Sequence, residues 1–444
     1  MATHTGTPGN DTLVPGTGGD FLFGDTDGNL TSRGGNDVLT ATGNDNTLYG
    51  DAGASIFSIA GSRGRGGNDA LTVTGNDNKL YGDAQWIYEP GGNDVLSATG
   101  NNNLLTGDAD GVEGSTRGGN DVLSATGNEN QLYGDASTKM SGNTRGGNDT
   151  LSASGDDNRL YGDAGESLSG IDGAQGGNDT LSASGDGNSL YGDAGNDVLG
   201  KNRGGNDTLS VFGDDNWLYG DAGGTLSGQG GNDILTAEGS SNALFGDAAL
   251  MVGDARGGND KLTADGVDGN NLGGDAFAMA GNARGGNDVL IAHGGDSGLA
   301  GDAYIMTGDA VGGNDTLIGG AGNDTIVGDA SFMLENARGG KDQLWGDAKG
   351  AAAGGADTFW FAGNFGKDVV NDFRPGEGDK LKFNGYGAAL TVDDVLDHAS
   401  VVGGNTVIDI GAALDGPAKV NTITLLKFTG LGQDDILVTN DPAF

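Results

Sequence analysis

The chain has 444 residues with 93 glycines, no cysteine and a formal net charge of −41. The lack of cysteine excludes disulfide bonds, and the charge disfavours nucleic acid because phosphate binding requires a basic patch. Glycine at this frequency is typical of disorder when it is aperiodic. Here it keeps fixed offsets from leucine, which favours an ordered repeat. The first residues predict no cleaved signal peptide, and no apolar run reaches the ~18 residues of a membrane span.

Residues 1–32 are predicted to form N-terminal capping half-turns. Leu13 and Leu22 are nine residues apart, and Asp11 and Asp20 each stand two residues before one of them. A short strand followed by a turn rich in glycine and Asx residues accounts for this period.

Residues 33–350 repeat two motifs in a fixed order. Gly-Gly-Asn-Asp, first at 34–37, precedes Gly-Asp-Ala, first at 50–52, with 14 residues from one aspartate to the other in almost every unit. Two leucines nine residues apart, such as Leu151 and Leu160, lie between the motifs in strands that point them inward. The pattern predicts an all-β fold, a parallel β-roll or β-helix solenoid of about eleven coils of 25–32 residues.

An insert of variable length follows each Gly-Asp-Ala motif. Its apolar clusters, such as residues 86–88 and 304–306, are expected to form a third, less regular side of one full coil. The rival arrangement is one and a half turns of a two-sided roll per period. That rival would break the vertical stacking of like residues.

One segment near the end of this region shows the repeat without an insert. Residues 319–327 fit Gly-Gly-x-Gly-x-Asp-x-apolar-x at every specified position. The sequence is therefore similar to the RTX, or haemolysin-type calcium-binding, repeat family over about residues 6–350. This resemblance implies that aspartate side chains and turn carbonyls of successive turns enclose Ca²⁺. In this chain that role falls on Asp11, Asp20, Asp37, Asp69, Asp94, Asp121, Asp149, Asp179, Asp207, Asp233, Asp260, Asp288, Asp315, Asp324 and Asp342.

Two further predictions concern the acidic and amide residues of each unit. The aspartates of Gly-Asp-Ala are predicted to add metal ligands beside the insert, and they are Asp51, Asp83, Asp108, Asp135, Asp163, Asp193, Asp221, Asp247, Asp275, Asp302 and Asp329. In the second half-turn, asparagine replaces the aspartate ligand, so we predict a ladder of side-chain amides there instead of metal. Its members are Asn46, Asn78, Asn103, Asn130, Asn158, Asn188, Asn216 and Asn242.

Three further residue types recur once per unit, and each has two interpretations. Arginine precedes Gly-Gly in most units and either compensates the aspartate charge or binds a ligand. Tyrosine follows the second leucine and forms either a stacked column covered by the inserts or an exposed surface for sugars. Outward Thr/Ser-x-Thr/Ser rows, first at residues 40–42, form either a solvated face or a face similar to those of some antifreeze proteins.

Catalysis is not expected from this sequence. Neither His-Glu-x-x-His nor Gly-x-Ser-x-Gly occurs, and the three histidines are scattered. The segment 295–298 superficially resembles a serine-hydrolase signature, but Ser297 stands two residues before Leu299, in the position that asparagine fills elsewhere. The repeat therefore explains it.

Residues 351–444 are predicted to form a C-terminal β cap. The repeat stops, apolar content rises, and Asp-Thr-Phe-x-Phe followed by Asp-Phe-x-x-Gly-x-Asp-Lys-Leu looks like the β-sandwich-like cap that ends many RTX proteins. The resemblance implies an uncleaved type I secretion signal in this last stretch, with residues 434–444 as an acidic and then apolar tail.

These features lead to one main functional hypothesis and one alternative. The first is a secreted, extracellular or cell-surface calcium-binding structural protein of a bacterial surface, matrix or filament, which folds on Ca²⁺ binding outside the cell. Its expected partners are the type I secretion machinery and either further copies of the chain or a surface polysaccharide. The alternative is a solenoid that binds ice or polysaccharide through the Ser/Thr or Tyr ladder.

Overall fold

The computed structural model describes residues 2–15, 18–60, 62–170, 173–267, 269–352, 354–414 and 420–441. The chain divides into two compact units, Met1–Gly231 and Asn232–Phe444. Most regular elements in both units are β-strands, which confirms the predicted all-β fold.

Each coil has three sides. One coil of the first unit begins with the strand Val38–Thr42, turns into Thr47–Tyr49, turns again into Ala52–Ile56, and then returns through a loop. We call the three stacks of equivalent strands the first, second and third sheets. Successive coils pair in parallel and in register, so that Leu39 lies opposite Leu71. One sequence period is therefore one full coil, and the one-and-a-half-turn arrangement is wrong.

The strands of the first unit are as follows. The first sheet contains Thr12–Leu13, Val38–Thr42, Ala70–Thr74, Val95–Thr99, Val122–Thr126, Thr150–Ser154, Thr180–Ser184 and Thr208–Phe212. The second sheet contains Thr3–Thr5, Phe21–Phe23, Thr47–Tyr49, Lys79–Tyr81, Leu104–Thr106, Gln131–Tyr133, Arg159–Tyr161, Ser189–Tyr191 and Trp217–Tyr219. The third sheet contains Ala52–Ile56, Ala84–Ile87, Ala109–Gly114, Ala136–Gly142, Ser167–Ser169, Asp197–Val198 and Ala222–Leu226.

The second unit repeats this architecture. Its first sheet contains Ile234–Glu238, Lys261–Asp265, Val289–Ala292, Thr316–Gly320, Gln343–Asp347, Lys367–Val370 and Thr422–Leu425. Its second sheet contains Ala243–Phe245, Asn271–Gly273, Gly298–Ala300, Thr325–Val327, Thr358–Ala362, Lys380–Asn384 and Ile436–Thr439, and its third sheet contains Ala248–Met251, Ala276–Met279, Ala303–Met306 and Ala330–Met333.

The core is built from one inward column on each side. Leu39, Leu48 and Ile56 come from the three sides of one coil, and all three are fully buried. Because residues alternate across a strand, their neighbours face out. The inserts form the predicted third, less regular side. They make a parallel sheet in which Ile56 pairs with Ile87 and Ile87 with Val112, with a register shift between Ala52 and Ser55.

The parallel sheets extend into both predicted caps. Thr12 pairs with Val38, and Thr358 pairs with both Thr325 and Lys380. After residue 384 the chain adds the antiparallel strands Ala399–Val402 and Asn405–Asp409, helices α1 (Val392–Asp397) and α2 (Ile410–Ala413), and 3₁₀ turns Gly387–Ala389 and Gln433–Asp435. The predicted domain boundaries at 32/33 and 350/351 stay predictions, and backbone hydrogen bonding runs across both. Residues 442–444 of the predicted tail lie outside the described residues.

None of the helices in the described part of the chain has the length and hydropathy that a membrane span requires.

Candidate metal centre

The two aspartate motifs of each unit meet on one edge of the coil. The Gly-Asp-Ala turn leads into the third sheet, and Gly-Gly-Asn-Asp leads out of the loop that follows it. Since the insert brings the chain back to the same edge, Asp51, Asp69 and Asp83 present carboxylate oxygens within 4.8 Å of one another. Equivalent groups are Asp25–Asp37–Asp51, Asp83–Asp94–Asp108, Asp108–Asp121–Asp135 and Asp135–Asp149–Asp163. We call the two columns together the aspartate edge.

Backbone amides hold one side of each carboxylate. Asp37 N donates to Asp69 Oδ1 at 2.6 Å, Asp69 N donates to Asp94 Oδ1 at 2.6 Å, and Gly67 N donates to Asp51 Oδ2 at 2.7 Å. The same link joins Asp288 to Asp315 in the second unit. These bonds fix the orientation of the carboxylates and aim their remaining oxygens at the neighbouring column.

At many positions of the described chain, those remaining oxygens are buried and accept no hydrogen bond. The side chains of both columns are 3 % exposed or less from Asp25 onward. Unpartnered oxygens recur in both columns, and they include Oδ2 of Asp37, Asp69, Asp94, Asp121, Asp149, Asp179, Asp288, Asp315 and Asp342, and Oδ1 of Asp25, Asp51, Asp83 and Asp135. Burying an unpaired charged group is strongly unfavourable, so each group must either bind a proton or face a cation.

Burial raises the pKa of these carboxyl groups. Loss of solvent raises the pKa of Asp69 to about 9, with the nearby charges of Asp83 and Asp37 adding to the effect. Loss of solvent also raises the pKa of Asp83, to about 6, although the Gly92 amide opposes it. The pKa of Asp94 lies well above its usual value because of burial and then the charges of Asp83, Asp121 and Asp69. Without cations, Asp69 and Asp94 therefore resist ionisation at neutral pH.

The surroundings of the aspartate edge fit a hard cation. A Cβ on Gly50 would overlap both Asp69 Oδ2 and the carbonyl oxygen of Gly82, and a Cβ on Gly66 would overlap the Asp83 carboxylate. Carboxylate and carbonyl oxygens thus converge where no side chain has room. Calcium binds such oxygen ligands, from carboxylates and backbone carbonyls, in flexible geometries. The aspartates of both columns are the residues that would hold it.

The structure places most of the predicted ligands on this edge, with two exceptions. Asp11 N donates to Asp37 Oδ1, which extends the column to the N-terminus, and Asp368 extends it beyond Asp342 at the other end. Asp20 and Asp324 lie elsewhere, because their amides donate to Asn46 and Asp357 of the other edge. Their predicted role as calcium ligands stays a prediction.

The predicted asparagine ladder is confirmed. Asn46 N and Nδ2 both donate to Asn78 Oδ1 at 2.9 Å, and Asn78 repeats this bond with Asn103. These side chains are fully buried or nearly so. Each asparagine side chain is therefore hydrogen-bonded to the next coil without needing a charge or an ion. We call this column the asparagine edge.

The asparagine edge becomes acidic in the last coils. The column continues from Ser297 through Asp324, Asp357 and Asp379, each amide donating to the next carboxylate, and Asp347 lies close by. Burial raises the pKa of Asp324 to about 8 and that of Asp357 to about 7. An ion pair with Arg374 neutralises Asp347.

Sequence reasoning missed several of these acidic residues. Asp25 and Asp368 belong to the aspartate edge, and Asp347, Asp357 and Asp379 lie on the asparagine edge. Asp25 follows a glycine as Asp51 does, and Asp368 follows Gly-Lys as Asp342 does. These local similarities are the signals from which the positions of Asp25 and Asp368 could have been predicted. Gly298 pairs with Asn271 and Leu299 with Leu272, and the Ser297 amide donates to Asp324 Oδ1, so the hydrolase-like segment follows the repeat.

The arginine column makes no direct ion pair with the part of the chain that the structure describes. Within the described ranges, no carboxylate lies within 4.0 Å of the guanidinium groups of Arg33, Arg65, Arg117, Arg145, Arg203, Arg256, Arg284 and Arg338. The arginines therefore compensate the charge of the aspartates only at longer range. Burial dominates the raised pKa of Asp83, and the Arg65 charge offsets a small part of it.

The tyrosine column is stacked and covered. Tyr133 and Tyr161 lie 4.7 Å apart between ring centroids, and Tyr161 and Tyr191 lie 4.9 Å apart, with interplanar angles of 5° and 9°. A Cβ on Gly195 would overlap the Tyr161 ring, so the third sheet lies directly against the column. Tyr133 is 7 % and Tyr161 9 % exposed. The column is therefore a packing element, which was one of its two predicted roles.

A stacked β-solenoid that buries columns of unpartnered carboxylates along one edge belongs to the class of calcium-binding repeat proteins. Comparison with protein families agrees. The model of the RTX calcium-binding nonapeptide repeat (4 copies) matches residues 5–29, 31–56, 115–138, 143–166, 174–199, 203–224, 224–249 and 309–331. The chain thus contains RTX calcium-binding nonapeptide repeats at intervals between residues 5 and 331. No curated protein matches it in sequence.

Proposed function

We propose that this chain is a secreted calcium-binding structural protein of a bacterial surface, matrix or filament, which folds when it binds Ca²⁺ outside the cell. The observation that carries the proposal is the aspartate edge, where one carboxylate oxygen of residues such as Asp69, Asp83 and Asp121 is buried and has no hydrogen-bond donor among the described residues. Without cations their mutual repulsion, together with the net charge of −41, opposes folding. Calcium that binds only the folded chain stabilises it.

A calcium titration tests the folding switch. Metal-free protein is followed by far-UV circular dichroism while Ca²⁺ is added, with Mg²⁺ as the control cation. We expect a cooperative coil-to-β transition at about 10⁻⁴–10⁻³ M Ca²⁺, the range of extracellular modules. A β spectrum that is the same with and without chelator would sink the proposal.

Export and assembly are separate parts of the proposal. An unfolded chain in the calcium-poor cytosol suits a narrow type I channel, and residues 351–444 would carry the signal. Deleting residues 386–444 should abolish export from a bacterium that has a type I apparatus.

For assembly, negative-stain imaging in Ca²⁺ at high protein concentration should show filaments or sheets. If only monomeric particles are seen, the proposed self-association is wrong.

The structure also favours one version of the ligand-binding alternative. The outward residues of the first sheet form aligned columns, with Thr40 opposite Thr72 and Ser97 opposite Ser124. These columns are partly exposed, whereas the tyrosine column is covered. A hydroxyl face is therefore available to ice or a polysaccharide in the first unit. Thermal hysteresis and glycan-binding assays on wild-type protein and Ser124→Lys test this, and inactivity of the wild type in both removes it.

A further inference from the structure

The second unit carries a groove lined by unpaired arginines. It has a volume of about 640 Å³, and Arg256, Arg284 and Arg338 line it. These residues stand in one column, because Arg256 pairs with Arg284, and Val311 lies between Arg284 and Arg338. All three arginines are exposed, and within the described part of the chain none has a carboxylate within 4.0 Å. We call this the arginine groove.

The spacing of the column suits a linear anionic polymer. Neighbouring strands lie about 4.8 Å apart. Arg256 and Arg284 are one coil apart, and Arg284 and Arg338 are two coils apart. Three cations thus lie on a line about 15 Å long that runs along the stack. A guanidinium group binds a carboxylate through two parallel hydrogen bonds, which gives each position a preference for planar oxyanions.

The remaining groups of the groove limit the charge density of its ligand. Asp254, Asn282 and Asp309 also line it, and Asn282 Nδ2 donates to Asp254 Oδ1 at 3.0 Å. Asn336 Nδ2 donates to Asp309 Oδ1 at the same distance. Each carboxylate retains further acceptor sites for ligand hydroxyl groups. A polynucleotide, with a phosphate every ~3.4 Å of strand, would bring anions against both aspartates.

We propose that the arginine groove binds an acidic polysaccharide, whose sugar carboxylates pair with Arg256, Arg284 and Arg338 and whose hydroxyl groups donate to Asp254 and Asp309. The groove involves none of the predicted calcium ligands, so it adds a partner to the calcium-binding function. A failure of polysaccharide binding leaves the calcium-dependent folding transition unchanged, and the two proposals are therefore tested separately.

Isothermal titration with a short oligogalacturonate tests this proposal on the full chain, at the lowest Ca²⁺ concentration that keeps it folded. Arg256→Gln/Arg284→Gln/Arg338→Gln should weaken binding about tenfold or more, since it removes three exposed guanidinium–carboxylate pairs at once. The matched control is Lys79→Gln/Lys201→Gln/Lys261→Gln, which removes three exposed cations outside the groove. It should keep wild-type affinity, and both triple variants should show the wild-type circular dichroism spectrum.

The ligand series gives the decisive comparison. Oligogalacturonate should bind more weakly as salt rises, because exposed charges are screened, and a neutral glucan oligomer should not bind. The proposal is overturned if oligogalacturonate does not bind at low salt, or if the two triple variants lose affinity equally. Equal binding of the neutral oligomer, or tighter binding of single-stranded polynucleotide, also overturns it.

Discussion

At the scale of single residues, the two edges differ by one atom of the turn side chain, because aspartate has an oxygen where asparagine has an amide nitrogen. Asn158 donates to Asn188 Oδ1 and accepts from Asn130, so its column satisfies itself. Asp121 accepts from the Asp94 amide through Oδ1, but its buried Oδ2 has no donor. The side chains of the asparagine edge thus have their hydrogen-bond partners without ions, whereas those of the aspartate edge need bound protons or cations.

Removing one charge from the aspartate edge should weaken calcium binding locally. In Asp121→Asn, the Oδ1 acceptor remains while a ligand oxygen and its charge are lost. We expect calcium affinity at the adjacent coils to fall about tenfold or more, which raises the calcium midpoint of folding measured by circular dichroism. Asp157→Asn removes the same charge from an exposed turn and is the control. Equal midpoints for the two variants would contradict the assignment.

At the scale of elements, the asparagine ladder is predicted to be a stabilising structure independent of metal. Asn158→Ala leaves the amide groups of Asn130 without their buried acceptor. Each buried unsatisfied group costs about 1–3 kcal/mol, so we expect the free energy of unfolding to fall by roughly 2–5 kcal/mol. Denaturant unfolding in saturating Ca²⁺ measures it. Asn148→Ala in the exposed outer column should cost under about 1 kcal/mol, and an equal loss in both would refute the ladder.

The tyrosine column makes a second prediction at this scale. Tyr161 lies between Tyr133 and Tyr191 and against the third sheet, so Tyr161→Ala removes a ring from a nearly closed space. We expect unfolding in Ca²⁺ to become easier by about 3–4 kcal/mol. Tyr161→Phe keeps the ring and should change the free energy of unfolding by less than about 1 kcal/mol. A large loss with phenylalanine would mean that the hydroxyl group, not stacking, stabilises the column.

The elements that sequence could predict are those set by local spacing. Leucines nine residues apart fix the first two sheets, and that register is observed, with Leu48 opposite Leu80. The meeting of Asp51 with Asp69 could not be read from spacing, because it depends on how the insert returns the chain to the same edge. The position of Asp324 on the asparagine edge could not be read from spacing either: its segment fits the family pattern, but Asp315 already fills the Gly-Gly-Asn-Asp position of that coil.

At the scale of the whole molecule, stability should depend on pH in opposite ways with and without calcium. Burial raises the pKa of Asp69 to about 9 and the pKa values of Asp37 and Asp83 to about 6, against about 3.9 in an unfolded chain. The folded, calcium-free chain therefore binds more protons than the unfolded chain. Protonation stabilises it fully below about pH 4, and this stabilisation is lost as pH rises through about 6–9. With calcium bound, the carboxylates are ionised, so acidification displaces the ion and lowers the affinity.

The measurement that separates these effects is far-UV circular dichroism of metal-free and calcium-loaded protein between pH 4 and pH 9. Metal-free protein should hold its β spectrum at the acidic end and lose it on the way to pH 8, where added calcium restores it. The calcium midpoint should rise as the pH falls toward 6, because protons compete for the same oxygens. Asp157→Asn, whose carboxyl group is exposed, should shift neither curve, whereas Asp69→Asn should extend the metal-free β spectrum to higher pH. Metal-free protein that unfolds on acidification would show that the buried carboxylates are ionised and paired, and that something other than protons or calcium balances the aspartate edge.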